Sequence, residues 1–554
     1  IPGVIAIRAS DCKGCDACKR HCPTGAIQGA FGATHSIDVD ACLSCGQCLI
    51  NCPFGAPYET ADSVENVLAR LRDRTATVVG IIAPAVRVAI GEDFGLPAGT
   101  LATGKLYTAM KKAGFEIFDN NFAADLTIME EGSEFIARAR QAVFGEKGAH
   151  GEAAGPLPQF TSCCPAWVRF VETKYPALIP HLSSAKSPQQ MAGAVAKTYG
   201  TKVWNKPADR LYTVGIMPCT AKKLEASRPE FNQAFLYNRR NNAAAGAAYP
   251  DVDAVLTTNE IIDIFTERGI DARTIRPVDL DTPFGEVSGA GIIFGASGGV
   301  AEAALRLAAE RITEQRLDNV EYRAVRGMEG IKEATLKIGD MTVRLAVVSG
   351  LQNAQVLIDR IRAGDAPYDL IEVMSCPGGC INGSGNPAPQ LISDPADRIE
   401  VLYRLDEMSP IKKSQDNPSV QAIYSNWLGE PVSEKAHHAL HTSYGRRSMR
   451  VEESLEDMLQ EHPVIDIGVC VSTGCYIRGS WRILEGLAAE LRKRDLTERF
   501  RVRARFCTGR CDGGPSVTLG EHQVIHVDPD DISGFIETHL LPALAAEGKE
   551  QAIG

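Results

Sequence analysis

The residues best suited to chemistry in this chain are its 17 cysteines, and all of them fall into short, spaced sets. Eight form two runs of the type Cys-x2-Cys-x2-Cys-x3-Cys-Pro, namely Cys12, Cys15, Cys18, Cys22 and then Cys42, Cys45, Cys48, Cys52. Five lie in three segments between Thr161 and Cys380, and four form Cys470-x4-Cys475 and Cys507-x3-Cys511. Thiolate is the soft ligand that iron–sulfur clusters select. In a short run three thiolates reach one cubane while the fourth serves the neighbouring cluster. That places Cys12, Cys15, Cys18 and Cys52 on one 4Fe–4S cluster, and Cys42, Cys45, Cys48 and Cys22 on a second. The alternative is zinc, which takes four Cys or Cys/His ligands at looser spacing.

The central segments read Thr161-Ser-Cys-Cys-Pro-Ala-Trp167, Met217-Pro-Cys-Thr-Ala-Lys-Lys-Leu-Glu225 and Glu372-Val-Met-Ser-Cys-Pro-Gly-Gly-Cys380. Five cysteines thus arrive on three loops flanked by Pro and Gly, where backbone can approach a cofactor closely. Four can hold a cubane, and the fifth is a spare thiol suited to proton chemistry. Each feature also has a plainer reading. Lys222 and Glu225 make an ordinary helix ion pair, Glu131 and Glu134 a solvated helix face, the methionines core filler and Cys163 a buried structural thiol.

In order and residue by residue, these three segments resemble the signature motifs of the iron–iron (FeFe) hydrogenases. The resemblance extends over about residues 1–445, and the doubled cysteine run resembles bacterial two-cluster ferredoxins. It implies an H-cluster, a 4Fe–4S cubane joined through one cysteine to a diiron unit with CO, cyanide and azadithiolate ligands. On this chain it implies Cys164, Cys219, Cys376 and Cys380 as cubane ligands, with Cys380 as the bridge. Cys163 becomes the proton-passing thiol and Lys222 the cation facing a cyanide, while Met217 and Met374 pack around the diiron unit. Pro84, Gln189, Phe294 and Gly295 become pocket lining, and Glu131, Ser183, Glu134 and Arg138 a proton relay from Cys163 to solvent. Glu134 and Arg138, four apart, share a helix face. Two departures are visible. Ala85 stands where some members place a serine, and Asn120 replaces a commoner threonine. Gly289-Ala-Gly291-Ile-Ile-Phe-Gly295 imitates a dinucleotide loop with its third glycine one residue late. The resemblance explains that loop as pocket lining, and no nucleotide site is found.

These motifs need elements to carry them. The fold class expected is multidomain α/β and α+β. Residues 1–62 form a ferredoxin-like two-cluster domain, 75–395 a two-lobed α/β hydrogenase domain, 396–447 a helical segment like a hydrogenase small subunit, and 460–545 a last compact α/β domain. Apolar runs predict buried strands at Thr77–Ile82, Leu211–Met217 and Val343–Val348, with a helix over 63–74. Gly145–Leu157 and Asn238–Pro250 read as surface excursions. Tyr403, Met408, Ile411, Tyr424 and Trp427 are the expected contacts of the helical segment. Val464–Val471, Trp481–Arg492, Arg501–Arg505 and Val517–Leu519 are the expected elements of the last domain. Cys470, Cys475, Cys507 and Cys511 within it resemble the ligands of a thioredoxin-like 2Fe–2S domain, with zinc or a disulfide pair as alternatives.

Charged residues are 23% of the 554 and the formal net charge is −11. That balance disfavours nucleic acid as a partner, since phosphate contacts need a basic surface. The most apolar stretch, Thr77–Ile90, is broken by Pro84 and Arg87 and is too short to span a membrane. No signal-peptide pattern is visible. The chain opens at Ile1, which leaves room for an upstream piece. Cysteines used as ligands point to a reducing cytoplasm. The expected function is reversible oxidation of H2 by a catalytic subunit with one H-cluster, two 4Fe–4S clusters and one 2Fe–2S cluster. Electrons would pass to ferredoxin or to a flavin- and NAD(P)-binding partner subunit in a hetero-oligomer. The rival readings are a hydrogen sensor and a non-catalytic iron–sulfur assembly protein.

Overall fold

A computed structural model describes residues 3–60, 63–145, 154–241, 248–278, 283–317, 321–339, 341–364, 367–387, 395–447, 465–470, 475, 478–494, 496, 500–505, 515–519 and 522–542. The chain forms two compact units, residues 1–451 and 452–554.

Strands β1 (Ile5–Ile7), β2 (Ile27–Gln28), β3 (Ser36–Ile37) and β4 (Pro57–Glu59) make two antiparallel pairs, β1 with β4 and β2 with β3. Each cysteine run turns into a short helix, Ala17–Arg20 or Gln47–Asn51. Gly46 opens the second one with φ 73°. A Cβ there would stand 1.9 Å from Ser384 Oγ, so only glycine lets this loop press against the larger body. Thr220 Oγ1 seals the contact by donating to the Ser44 carbonyl at 2.7 Å.

The body is built on β5 (Thr77–Ile82), β6 (Glu116–Asp119), β7 (Gln159–Phe160), β8 (Leu211–Met217), β9 (Ala254–Thr257), β10 (Ile331–Ile338), β11 (Met341–Ser349) and β12 (Leu370–Met374). They form two four-stranded sheets, ordered β6-β5-β8-β9 and β10-β11-β12-β7. The first is wholly parallel, and the second is antiparallel only between β10 and β11. Parallel strands covered on both faces are apolar throughout, which is why Thr77–Ile82 and Leu211–Met217 stand out in the sequence and coincide with β5 and β8. Helix Ser63–Arg72 falls within the expected 63–74 span.

Helix Asn120–Phe144 runs through the body. The Asp119 carboxylate caps it by accepting from Asn121 N at 2.9 Å. The solvated face considered for Glu131 and Glu134 does not exist, since these residues are 1% and 9% exposed.

The 395–447 stretch is held by buried polar clamps. Arg398 pairs with Glu92 at 2.7 Å, Arg306 with Asp406 at 2.7 Å and Lys413 with Glu310 at 2.5 Å. Asp125 accepts from Ser414 Oγ at 2.7 Å and Asn417 Nδ2 at 2.9 Å. Tyr403 and Tyr424 are buried, Ile411 and Trp427 half-buried. Met408 is not a contact: it is 74% exposed. The buried stripe of helix Pro395–Met408 runs through Ile399, Leu402, Tyr403 and Asp406, and Met408, two residues past Asp406, points away from it.

The Asn238–Pro250 excursion is shorter than expected, because helix Gln233–Asn241 continues into it. Asn238 Nδ2 fixes that turn by donating to the Lys197 carbonyl and to Tyr249 OH, both at 2.8 Å. Residues 146–153 and 242–247 lie outside the described residues.

In the second unit β13 (Ile465–Cys470), β14 (Phe500–Arg505), β15 (Val517–Leu519) and β16 (His522–Val524) form a sheet ordered β14-β13-β15-β16. Only β13 and β14 are parallel. Ile483 and Leu487 of helix Ser480–Lys493 pack with Ile467, Val469 and Val517. Cys470 and Cys475 are buried, whereas Cys507 and Cys511 lie outside the described residues. No helix among the described residues is long and apolar enough to cross a membrane.

Lys186 and Asp251 form an ion pair at 2.8 Å in which both side chains are fully buried. Removing one partner leaves an uncompensated buried charge, at about 3–5 kcal/mol. Lys186→Met is therefore expected to lower the urea midpoint of the larger unit, read by circular dichroism. An unchanged midpoint would show the pair to be dispensable.

Candidate active site

The central motifs all follow strand ends. Ala83-Pro84-Ala85 follows β5, Cys163-Cys164 comes shortly after β7, Cys219 after β8 and Cys376 after β12. The carboxyl ends of parallel strands are where open α/β sheets place their ligands. Two sheets here converge on one cavity of about 70 Å³. Cys164 caps helix Pro165–Lys174, and Cys380 opens a single turn over Cys380–Asn382. Gly378 and Gly379 lead into that turn with φ 78° and 98°. At Gly379 a Cβ would come within 2.5 Å of Ser297 N, so the Gly-Gly pair is a steric requirement.

The cavity is lined by Cys163, Cys164, Cys219, Cys376 and Cys380 together with Pro84, Gln189, Met217, Lys222, Phe294, Gly295 and Met374. Every pocket and cubane residue expected from the sequence is therefore brought to one place. Ala85 and Asn120, the two departures, line it as well.

Burial pushes all five thiols up, and Cys164, Cys219 and Cys380 each add to the rise at Cys376. Four adjacent thiolates in dry protein need a cationic partner, and metal binding supplies one. The remaining lining fits an iron–sulfur cofactor with further polar ligands. It is mostly apolar, and it offers the Lys222 cation and buried polar atoms without a partner among the described residues, including Gln189 Oε1, Asn120 Oδ1 and Ser375 Oγ.

Lys222 Nζ donates to Glu225 Oε2 and to the Cys163 carbonyl, each at 3.0 Å. Burial opposes its charge, yet the Glu225 carboxylate beside it holds it above lysine's ordinary value. The helix ion pair is thus real, and it serves to keep a cation at the cavity wall. Glu225 Oε2 also accepts from Ser187 Oγ at 2.9 Å and Gln189 Nε2 at 3.1 Å.

The relay residues are close but not uniformly linked. Ser183 Oγ donates to Glu134 Oε2 at 2.8 Å, and Arg138 Nη2 to Glu134 Oε1 at 2.6 Å. Glu131 Oε1 accepts from Ser162 N at 3.1 Å, while its Oε2 has no partner among the described residues. Burial lifts the Glu131 carboxyl to about 8, with the Ser162 amide working against the rise and the Glu134 charge adding to it. Cys163 is raised by burial first and by Glu131 next, so it stays a thiol. The expectation that Arg138 leads to solvent is not met. It is buried, and besides Glu134 it donates to the carbonyls of Pro156, Pro180 and Leu182. A guanidinium so held does not release its proton; it anchors Glu134.

In the N-terminal region a second enclosed space is lined by Cys12, Cys15, Cys18 and Cys52, the four assigned to one cluster. Cys22 lies with the other set, where its charge raises Cys42, Cys45 and Cys48 after burial has done so. Main-chain amides of His35 and Ser44 donate to Cys12 and Cys42 sulfurs, each at 3.4 Å. Such bonds tune a cluster's potential. Cys45 lies near enough to Cys376 to raise it, and Gln47 Nε2 reaches the Cys376 sulfur at 3.7 Å. The second cysteine run therefore adjoins the cavity. Sequence reasoning missed Gln47, Ser187 and the carboxylate role of Glu225. Gln47 and Cys376 are 329 residues apart, and no local pattern announces such a contact.

Together these features define an iron–sulfur redox protein with a buried metal pocket and a string of acidic groups beside it. The family is shown by comparison. Residues 76–384 match "Iron only hydrogenase large subunit, C-terminal domain", 396–447 match "Iron hydrogenase small subunit" and 11–56 match "4Fe-4S dicluster domain". The chain belongs to the iron-only hydrogenase large-subunit family, with a dicluster domain and a small-subunit domain in the same polypeptide. It is 43% identical to the periplasmic [Fe] hydrogenase large subunit of Nitratidesulfovibrio vulgaris over 71% of this chain and 89% of that one. It is also 43% identical to the NADP-reducing hydrogenase subunit HndD of Solidesulfovibrio fructosivorans, over 69% of this chain but 62% of that protein. It is 35% identical to cytosolic iron-sulfur assembly component 3 of Rattus norvegicus, over 66% of this chain and 74% of that one. A variant of the apo [FeFe]-hydrogenase HydA1 of Chlamydomonas reinhardtii shares the fold at TM-score 0.60 and 38% identity, covering 70% of this chain and all of that one.

With Glu131 lifted to about 8, its carboxyl carries a proton at neutral pH and loses it as pH rises through that value. A protonated-carboxyl infrared band should fade around pH 8 and be missing from Glu131→Gln. A band that fades near pH 4 instead would place Glu131 in a solvated setting.

Proposed function

We propose that this chain is the catalytic subunit of a hydrogenase, interconverting H2 with protons and electrons. The observation that carries the reading is the convergence of four cysteines, a fifth thiol and a buried lysine on one apolar cavity. Cys164, Cys219, Cys376 and Cys380 would hold the H-cluster, which supplies the heterolytic cleavage and formation of H2. The residues around it orient it, exclude water and move the proton. Lys222 holds a positive charge at the wall, Met217, Met374 and Phe294 keep the pocket dry, and Cys163 and Glu131 are the first proton-bearing groups beside it. Cys45 and Gln47 mark where electrons would pass to the dicluster domain.

The finer assignments are also proposals. They comprise two 4Fe–4S clusters on the N-terminal cysteines, and a 2Fe–2S cluster on Cys470, Cys475, Cys507 and Cys511 in a thioredoxin-like domain over 460–545. For the latter, Cys475 is raised by burial and then by a hydrogen bond that its thiol donates to Cys470, so their sulfurs are adjacent. A flavin- and NAD(P)-binding subunit and ferredoxin are the proposed partners in a hetero-oligomer. The likeness to a subunit named as NADP-reducing supports this. Unpaired cysteines favour a reducing compartment, the cytoplasm. The likeness to iron–sulfur assembly components supports a second reading, in which the chain binds clusters without turning over H2. Cys163, Lys222 and both methionines around the cavity speak against it.

Infrared spectra of anaerobically matured protein should show cyanide and CO bands that shift under H2. If a control hydrogenase matures and this chain shows none, the assembly reading stands instead. Cys163→Ser is expected to lower H2 turnover by at least about 10²-fold, the scale of a lost proton-transfer group, while the bands remain. Cys470→Ser should abolish a 2Fe–2S electron paramagnetic resonance signal and leave the 4Fe–4S signals in place.

A further inference from the structure

Arg138 cannot carry the relay outward, yet Glu134 has a second neighbour. Ser184 N donates to Glu134 Oε2 at 3.0 Å, and Ser184 Oγ lies 3.3 Å from the same oxygen. Ser184 Oγ is also 2.8 Å from His441 Nδ1, and His441 Nε2 is 2.9 Å from Glu130 Oε2. The two segments are locked side by side, Thr442 N donating to the Ser184 carbonyl at 2.8 Å and Lys186 N to the Leu440 carbonyl at 2.9 Å. Glu130 is itself held, accepting from Tyr424 OH and from Val432 N at 2.7 Å. Glu131, Ser183, Glu134, Arg138, His441 and Glu130 are all buried; Ser184 is half-buried and so the member that water can reach.

We propose that the relay exchanges protons with solvent at Ser184, with His441, backed by Glu130, as its outer proton acceptor. The inference rests on the hydrogenase reading for its use and on this geometry for its existence. The hydroxyl has one proton and two neighbours that take turns. With Glu134 protonated, Glu134 donates to Ser184 Oγ, Ser184 donates to His441 Nδ1, and His441 Nε2–H donates to the Glu130 carboxylate. One shift along the chain leaves Glu134 a carboxylate accepting from Ser184, and His441 an imidazolium donating from both nitrogens. The polar side-chain atoms of Glu134, Ser184, His441 and Glu130 keep partners in both states. The imidazolium then returns its proton through Ser184 to water.

The titratable groups shown against His441 are Glu130 from the long helix and His437 from helix Glu434–Leu440, with Glu134 one hydrogen bond further through Ser184. The His437 ring stacks on His441 with centroids 4.8 Å apart, and Tyr424 reaches it through Glu130.

The test uses matured full-length protein with a viologen dye, across pH and in H2O and D2O. His441→Gln should lower H2 oxidation about 10-fold or more, within the range of a lost acid–base group. It should also raise the solvent isotope effect, and added imidazole should rescue His441→Ala. Wild-type turnover and isotope effect in both His441→Gln and Ser184→Ala would overturn the proposal. Ser184→Ala, which removes one oxygen, decides the matter if the His441 variants do not fold. A readout independent of turnover is the carboxyl infrared signal missing from Glu134→Gln, whose frequency depends on the hydrogen bonds it accepts. Ser184→Ala should shift that frequency, and no shift would overturn the link even in a chain inert toward H2.

Discussion

Four cysteines brought to the wall of one dry cavity are the constraint on which the rest of this molecule depends. Each is raised by burial and by its neighbours, so the arrangement is stable as thiolates only around a cationic centre. Two sheets meet with their carboxyl strand ends at that point. The Gly378-Gly379 pair passes where no Cβ fits, and Pro165 starts a helix directly at Cys164. These features position sulfur within a shell that excludes water.

The same dryness governs the charged groups around the cavity. Lys222 keeps its proton because Glu225 is beside it, and Glu131 keeps its own because little offsets the loss of water. A cation and a neutral acid thus stand near one another at neutral pH, each set by its immediate partners. Arg138, by contrast, is spent on holding Glu134 and three carbonyls. A proton leaving Glu134 therefore has Ser184 as its nearest way out, and the 395–447 segment contributes His441 to that way out as well as covering the body.

The cysteine run and the carboxylates approach the cavity from different parts of the chain. Gly46, Ser44 and Gln47 bring the second cysteine run against the Cys376 loop. The carboxylates lie on the long helix Asn120–Phe144, supported by Tyr424 and His441. Placing the two on separate elements keeps a low-dielectric wall around the site.

Much of this was legible in the order of residues. Cysteine spacing reports cluster ligation directly, because a cubane's reach limits how far apart its ligands can sit in a loop. Uninterrupted apolar runs reported β5 and β8, because parallel strands are covered on both faces. The exposure of Met408 was also latent in the pattern, two residues past the helix's buried stripe. Other features exist only once the chain is folded. The burial of Glu131 and Glu134 comes from neighbours far away in sequence, and locally they look like any acidic helix face. Ser184 and His441 are 257 residues apart, and their contact depends on how the 395–447 segment lies against the body. The sequence by itself determined which sulfurs are offered together as candidate ligands, since ligand identity and local spacing are covalent facts. Which acids keep their protons, and where those protons leave, was decided by the tertiary structure, since both depend on water excluded by distant residues.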